Sequence, residues 1–311
     1  MRFLSKVPSF RFMRLRMPMA IASGAITLLC LLSIGIRGMP LGIDFTGGTL
    51  IEVNYEQPVD PHAVRMALTE GGFSDAGVQR FGTTRDILVR IPPRGEETSA
   101  TLSNRAFDAM KKVGDGRAEL RRVEFVGSLV GSELVEKAGL AVLYALGGIL
   151  LYIALRFEYR FAIGAIIATI HDVVVTVGWF SVFHIEFDLT ALAAVLAVLG
   201  YSLNDTIVVF DRIRENFRKV RKGSVIEIMD LSLNETLSRT LVTHVVTSLA
   251  VLALLLLGGP VLHGFSVALL VGIVVGTYSS IYVASAASLW LGVSRADLAV
   301  AKKMVETDSM P

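Results

Sequence analysis

A single cysteine, Cys30, stands in 311 residues. One thiol excludes an intrachain disulfide framework and a cysteine-based metal site. Charge is scarce as well: 19% of the residues are Asp, Glu, Lys or Arg and 53% are hydrophobic, where a soluble domain carries about 25% charged residues. The net charge of +2 makes no case for a nucleic-acid surface, because the basic residues cluster beside apolar blocks. No H-E-x-x-H metal motif and no nucleophile–base arrangement occurs. An enzyme is therefore not expected, and neither a cofactor nor a metal ion is called for.

Long apolar runs are what the chain has in quantity. Six stand out: Met17–Ile36, Ala138–Leu155, Phe161–Phe183, Leu189–Phe210, Thr240–Leu257 and Gly264–Trp290. A run of about twenty residues crosses a bilayer core at 1.5 Å per residue. The first run is longer than a signal-peptide core, and Arg37-Gly38-Met39-Pro40 after it offers no small-residue cleavage site. It is expected to remain as a membrane helix. The expectation is an α-helical polytopic, multi-pass membrane protein with six transmembrane helices.

Orientation follows from the basic residues of the short connections. The N-terminal stretch 1–16 carries Arg2, Lys6, Arg11, Arg14 and Arg16 and no acid. Arg156 and Arg160 lie between the second and third runs; Arg212, Arg214, Arg218, Lys219, Arg221 and Lys222 lie in the segment 211–238. The tail 293–311 adds Arg295, Lys302 and Lys303. The connections His184–Asp188 and Gly258–His263 contain no Lys or Arg. Both termini and the charged, partly helical loop 211–238 are therefore expected in the cytoplasm, and residues 37–137 on the far side.

That far-side segment has the pattern of a small α+β domain. Thr49–Tyr55 alternates like a strand, and Asp60–Glu70 reads as a helix with Asp60 as cap and Pro61 at its first position. Ala76–Phe81 and Asp86–Ile91 are two strands around a Gly82-Thr83-Thr84-Arg85 hairpin, Glu97–Val113 has helical spacing, and Glu119–Val126 is a last strand. The order β-α-β-β-α-β predicts a ferredoxin-like sheet with two helices on one face.

Ionisable residues inside the apolar runs cost roughly 2.5–3.5 kcal/mol each on insertion and tend to be functional. His171 and Asp172 fall near the middle of the third run. Asp205, beside Asn204, lies towards the cytoplasmic end of the fourth; Arg239 opens the fifth, with His244 about one and a half turns deeper. The fourth helix descends where the fifth rises, so Asp205 and Arg239 can share a level and pair. Tyr201, Asn204 and Asp205, then Arg239, Thr243 and Thr247, then Thr169, Asp172 and Thr176 form three polar stripes at helical spacing. They predict one shared interior. His244 reads more simply as a hydrogen-bonded interior residue. In the sixth run Gly272, Gly276, Ser280, Ala284 and Ser288 repeat small residues every four positions, a surface for close helix packing and a candidate partner contact.

At these residues a family resemblance becomes specific. Gly42-Ile43-Asp44-Phe45-Thr46-Gly47-Gly48 is similar to the G-x-D-F-x-G-G signature of the SecD/SecF family. His171-Asp172-Val173, the run from Gly200 to Asn216 and Leu233–Thr240 resemble its SecF branch in particular. One departure is Ser128, where the family usually has proline before the second helix. The resemblance implies a half of an arrangement like that of the resistance-nodulation-division (RND) transporters. It implies pairing with SecD and work beside the SecYEG channel and YajC. The translocating preprotein would be engaged on the periplasmic side, with protons as coupling ion. Asp205, Arg239, Asp172, His171 and Asn204 would then belong to the proton pathway. Half of an RND-type small-molecule or lipid exporter, and a non-transporting assembly scaffold, are the alternatives.

Overall fold

A computed structural model describes residues 8–81, 83–94, 98–113, 117–220 and 222–294. Arg2, Lys6, Gly82, Glu97, Arg221 and the tail residues Arg295, Lys302 and Lys303, all used above, lie outside them.

Helix α1 (Arg16–Arg37) leads through a one-turn helix α2 (Ile43–Thr46) into strand β1 (Gly48–Tyr55). Helix α3 (Pro61–Glu70) follows, then strands β2 (Gly77–Phe81) and β3 (Thr83–Ile91), helix α4 (Ser99–Met110) and strand β4 (Ala118–Val126). The sheet is antiparallel in the order β2-β3-β1-β4, the ferredoxin-like arrangement expected from the element order. Period-two alternation in β1 explains its place at the centre. Ile51, Val53 and Tyr55 join the core shared with Val64 and Leu68 of α3 and Leu102, Ala106 and Met110 of α4. Leu50, on the opposite face, packs with Ile43 and Leu88. Each such side chain is worth about 1.5–3 kcal/mol on full burial. Asp60 caps α3 as expected, its Oδ1 accepting from the His62 N–H at 3.0 Å, with Pro61 next. Thr83, Thr84 and Arg85, foreseen as part of a four-residue loop, already belong to β3.

The five later membrane helices are α5 (Ser128–Arg156), α6 (Tyr159–Phe183), α7 (Leu189–Lys219), α8 (Val225–Leu257) and α9 (His263–Ser279). The last continues through a π turn (Ser280–Ala284) into α10 (Ser285–Trp290). With α1 they make six helices long and apolar enough to cross a membrane. Helix α5 starts well before its apolar run. Ser128 is its first residue, a position that suits proline but needs none, so the departure from the family pattern leaves the helix start intact. The segment 211–238 is the meeting of two helix ends, closed by a capping box in which the Glu227 N–H donates to Ser224 Oγ and the Ser224 N–H donates to Glu227 Oε2.

The small-residue stripe serves a different purpose from the one expected. A Cβ added to Gly276 would stand 2.9 Å from Ser202 Cβ, and one added to Gly272 would run into Val198. The stripe is thus consumed inside the chain, where α9 lies directly on α7, and Ser280, Ala284 and Ser288 are buried with it. It is not the partner contact. Close backbone approach is what small residues permit, and here the approaching helix is the chain's own.

Candidate functional site

Helices α6, α7 and α9 enclose the first centre. Asp172 is fully buried, and its Oδ1 lies 3.0 Å from His171 Nδ1. Ser279 Oγ of α9 donates to Asp172 Oδ2 at 2.7 Å, and Ser202 Oγ of α7 donates to the same oxygen. One carboxylate therefore ties three helices together. Below it Thr206 and Ser280 join their hydroxyls at 2.9 Å. A buried carboxylate survives in such a place only with donors of this kind around it.

Ser202 and Asp205 lie one turn apart on α7, so the second centre adjoins the first. Asp205 is buried and its Oδ2 lies 2.5 Å from Nε2 of His244, which is buried on α8. His244 Nδ1 meets Thr277 Oγ1 of α9, and that hydroxyl donates to the Ile273 carbonyl at 2.6 Å. The Tyr201 ring lies 5.0 Å from the His244 ring, and its hydroxyl donates to Thr247 Oγ1 at 3.0 Å.

The pairing expected from depth is corrected here. Arg239 forms no ion pair among the described residues; it is exposed on the outside of α8, beside an open cleft with Asp211, Glu215 and Glu235. Those acids have other partners: Arg212 donates to Glu235 at 2.6 Å and to Glu215 at 2.5 Å, and Arg156 holds Asp211 at 2.6 Å. Arg239 and His244 are five residues apart, about 140° around a helix, so only one of them can face α7. Asn204 likewise points outward while its neighbour Asp205 points in. The α6 stripe of Thr169, Asp172 and Thr176 is interior as foreseen, whereas Arg239 and Thr243 of the α8 stripe are exposed. His244 is the hydrogen-bonded interior residue expected, whereas sequence reasoning missed Ser202, Ser279 and Thr277. The signal was present: these hydroxyls stand on the faces that also carry Asp205, Gly276 and Ser280.

Where the bundle meets the sheet the glycine signature forms a clasp. The Gly42 N–H donates to the Phe187 carbonyl at 2.8 Å, and Phe45 stacks on Phe187 at 6.2 Å. Asp44 Oδ2 accepts from the Leu189 N–H at 2.9 Å, so it sits at the N-terminus of α7 with the capping residue Asp188. Gly47 and Gly48 have φ of +69° and +120°, and a Cβ on Gly48 would stand 2.5 Å from the Ile91 carbonyl oxygen. Only glycine serves there. Arg90 bridges from the sheet to Glu186 and to the Leu41 carbonyl. Burial pushes the carboxyls of Glu186 and Asp188 above the usual range, partly offset at Glu186 by the Arg90 guanidinium. A cavity of about 680 Å³ opens between this clasp and the bare face of the sheet, lined by Leu50, Glu52, Arg80, Arg122, Glu186 and Asp188 among others.

A six-helix membrane bundle with two buried, adjoining carboxylate–histidine centres and a ferredoxin-like domain between its first two membrane helices defines a polytopic α-helical membrane protein. The comparisons with known proteins narrow the class. The family model "Protein export membrane protein SecD/SecF, C-terminal" matches residues 106–294, and "SecD/SecF GG Motif" matches residues 32–59. The chain is 54% identical over 273 residues to protein translocase subunit SecF of Vibrio alginolyticus, covering 87% of each. It is 47% identical over 307 residues to SecF of Pseudomonas aeruginosa, covering 98% of this chain and 99% of that one. The crystal structure of SecDF, a translocon-associated membrane protein from Thermus thermophilus, superposes with a TM-score of 0.83 at 40% identity. That match covers 93% of this chain and 39% of the SecDF chain. A second SecDF structure, in a super-membrane-facing form, gives a TM-score of 0.64 at the same identity. The chain belongs to the SecD/SecF family of protein export membrane proteins.

Proposed function

We propose that this chain is a SecF-type translocase subunit which, with a SecD-type partner, uses the proton gradient to assist preprotein passage through a SecYEG channel. The observation that carries the reading is Asp205, a carboxylate buried among apolar helices within ion-pair distance of a histidine. A gradient supplies about 2.3 kcal/mol per proton per 100 mV, enough to repack helices joined by a few hydrogen bonds. Asp172 and His171 form the adjoining station. Arg239, exposed on the outside of α8, serves on the side open to a partner helix. The drop in TM-score between the two SecDF forms at one sequence identity supports a family whose parts move relative to one another. The role is transport without catalysis, with no resident cofactor. Placement in the inner membrane with cytoplasmic termini follows the basic connections; YajC is a further candidate neighbour.

The test is Asp205→Asn, which keeps size and hydrogen-bonding shape but cannot ionise. Normal insertion and partner assembly with loss of gradient-stimulated export is the expected result. Export at the wild-type rate would overturn the proton reading, and export of small molecules by the purified complex would favour the RND-type alternative. Arg239→Lys is expected to be partly defective, since lysine keeps charge without the planar fork. For topology, a thiol introduced by Lys222→Cys, with Cys30→Ser, is expected to react only with reagents that reach the cytoplasm.

A further inference from the structure

Helix α5 ends at Arg156, whose Nη2 donates to both carboxylate oxygens of Asp211 on α7, at 2.8 and 2.6 Å. From that level α7 continues to Lys219, about 12 Å past the end of its neighbour. The overhang and the α5 end enclose an open cleft of about 370 Å³, lined by Arg156, Asp211, Arg214, Glu215, Arg218 and Lys219. Four cations there stand against two carboxylates. Helix C-termini favour cations, but those of α5 and α7 carry only about half a negative charge each, which leaves a surplus of about one positive charge. Phe157 is buried beneath, with the guanidinium carbons of Arg156 and Arg214 over its ring at 5.2 and 5.6 Å. Arg214 also donates to Glu158 at 3.1 Å and to Asp211 at 3.3 Å, yet its Nε is buried with no hydrogen-bond partner among the described residues. Arg218, one turn further on the same face of α7, is exposed and forms no ion pair among the described residues.

Residues that only set topology need be no more than basic and near a helix end. A stacked, ion-paired arginine with an unpaired one beside it offers charge-assisted hydrogen bonds to a bound anion. The surroundings narrow the chemistry of that anion. Tyr152 lies one turn into the membrane from Arg156 on the same face of α5, 49% exposed, and Leu155 nearby is 80% exposed. Oxygen-binding groups thus stand above bare hydrocarbon-facing side chains at one helix end. We propose that this cleft binds the phosphodiester headgroup of an anionic phospholipid, with Arg214 and Arg218 on its phosphate oxygens and its acyl chains along Tyr152 and Leu155. A phosphodiester carries a single negative charge, which matches the surplus of the cleft. No residue of the cleft belongs to the Asp172 or Asp205 centres, so the site is independent of the proton reading.

The experiment titrates the complex of this chain with its SecD-type partner, in neutral detergent, with dioctanoyl phosphatidylglycerol and reads occupancy by native mass spectrometry. Dioctanoyl phosphatidylcholine and glycerol phosphate are the comparison probes. Phosphatidylglycerol is expected to bind more tightly than either. Arg218→Gln is expected to weaken it about fivefold, the loss of one cation at a membrane surface. Arg218→Lys keeps the charge without the planar fork, is expected to fall between the two, and carries the test if the Gln variant fails to accumulate. Arg14→Gln removes an exposed cation at the same end of the bundle, outside the cleft, and is expected to leave the affinity unchanged. Equal weakening by Arg14→Gln and Arg218→Gln would mean diffuse attraction and would overturn the site. Phosphatidylcholine bound as well as phosphatidylglycerol, or an Arg218→Gln complex that binds like wild type, would overturn it too. Glycerol phosphate bound as tightly as the lipid would overturn the lipid in favour of a soluble phosphate ester.

Discussion

The six membrane helices divide into two sets of three. In α6, α7 and the last helix, 61%, 50% and 39% of the most apolar stretch is buried within the chain; in α1, α5 and α8 the shares are 11%, 6% and 17%. The inner set carries Asp172, Asp205, Ser202, Ser279 and the glycine stripe. The outer set presents Leu143, Leu151, Val246 and Leu249 to its surroundings. The outer helices are the more uniformly apolar, the reverse of a soluble bundle. A bilayer supplies no hydrophobic push between helices, so the inner ones hold together through small residues and buried hydrogen bonds. Outer helices still send a few buried residues inward, among them Thr240, His244 and Val251 of α8 and Ser23 and Cys30 of α1.

The sharpest test of that division sets one glycine against another. Gly272→Leu drives a side chain into Val198 on α7 and is expected to abolish folded protein. Overpacking costs roughly 1–3 kcal/mol where the core can yield, and a helix backbone cannot yield that far. Gly147→Leu on α5, where nothing lies within 4 Å of the added Cβ, is expected to leave folding of this chain unchanged. Fluorescence-detected size exclusion of the two variants gives the answer. Equal loss in both would mean that α5 is as tightly packed as α9, and the two-set description would fail.

A smaller effect is expected from the hydroxyls. Ser202→Ala with Ser279→Ala removes both donors to Asp172 Oδ2. Each loss at a buried acceptor costs about 1–3 kcal/mol. The double variant should melt several degrees lower in detergent, whereas Thr243→Ala on exposed α8 should not move. A melting temperature unchanged in the double variant would show that Asp172 is not held as drawn.

Much of this was legible in the chain itself. Run length foretold the helices, period-two alternation with Asp60-Pro61 the domain, and the Gly42–Gly48 signature the family. Facing was harder to read, because depth along an axis is one coordinate and rotation about it is another. Asp205 and Arg239 share a level, yet the 140° or so between Arg239 and His244 decides which one meets the carboxylate. The stripe through Gly272 and Gly276 announced close packing without saying whose helix would take it. The contacts of Arg90 and Glu186 join residues far apart in sequence, and no local pattern marks them.

The smallest expected effect lies where the inner set meets the ferredoxin-like domain. Asp188 caps α7, its Oδ1 accepting from the Ala191 N–H at 2.7 Å and from Thr190 Oγ1 at 2.8 Å. Burial, first among its influences, raises this carboxyl above the usual Asp value of about 3.9. A folded value above the unfolded one contributes stability that is complete below the unfolded pKa and lost as pH rises through the folded one. Ionised at neutral pH, Asp188 is thus a good cap carrying a buried charge. Asn caps equally well without that charge. Asp188→Asn is expected to match or exceed wild-type thermal stability at neutral pH, and the margin should close as the pH falls towards 4. Asp188→Ala should lose about 1 kcal/mol through the missing cap. The outcome that counts against this account is a less stable Asn variant at neutral pH, for then the α7 dipole and not burial governs the charge.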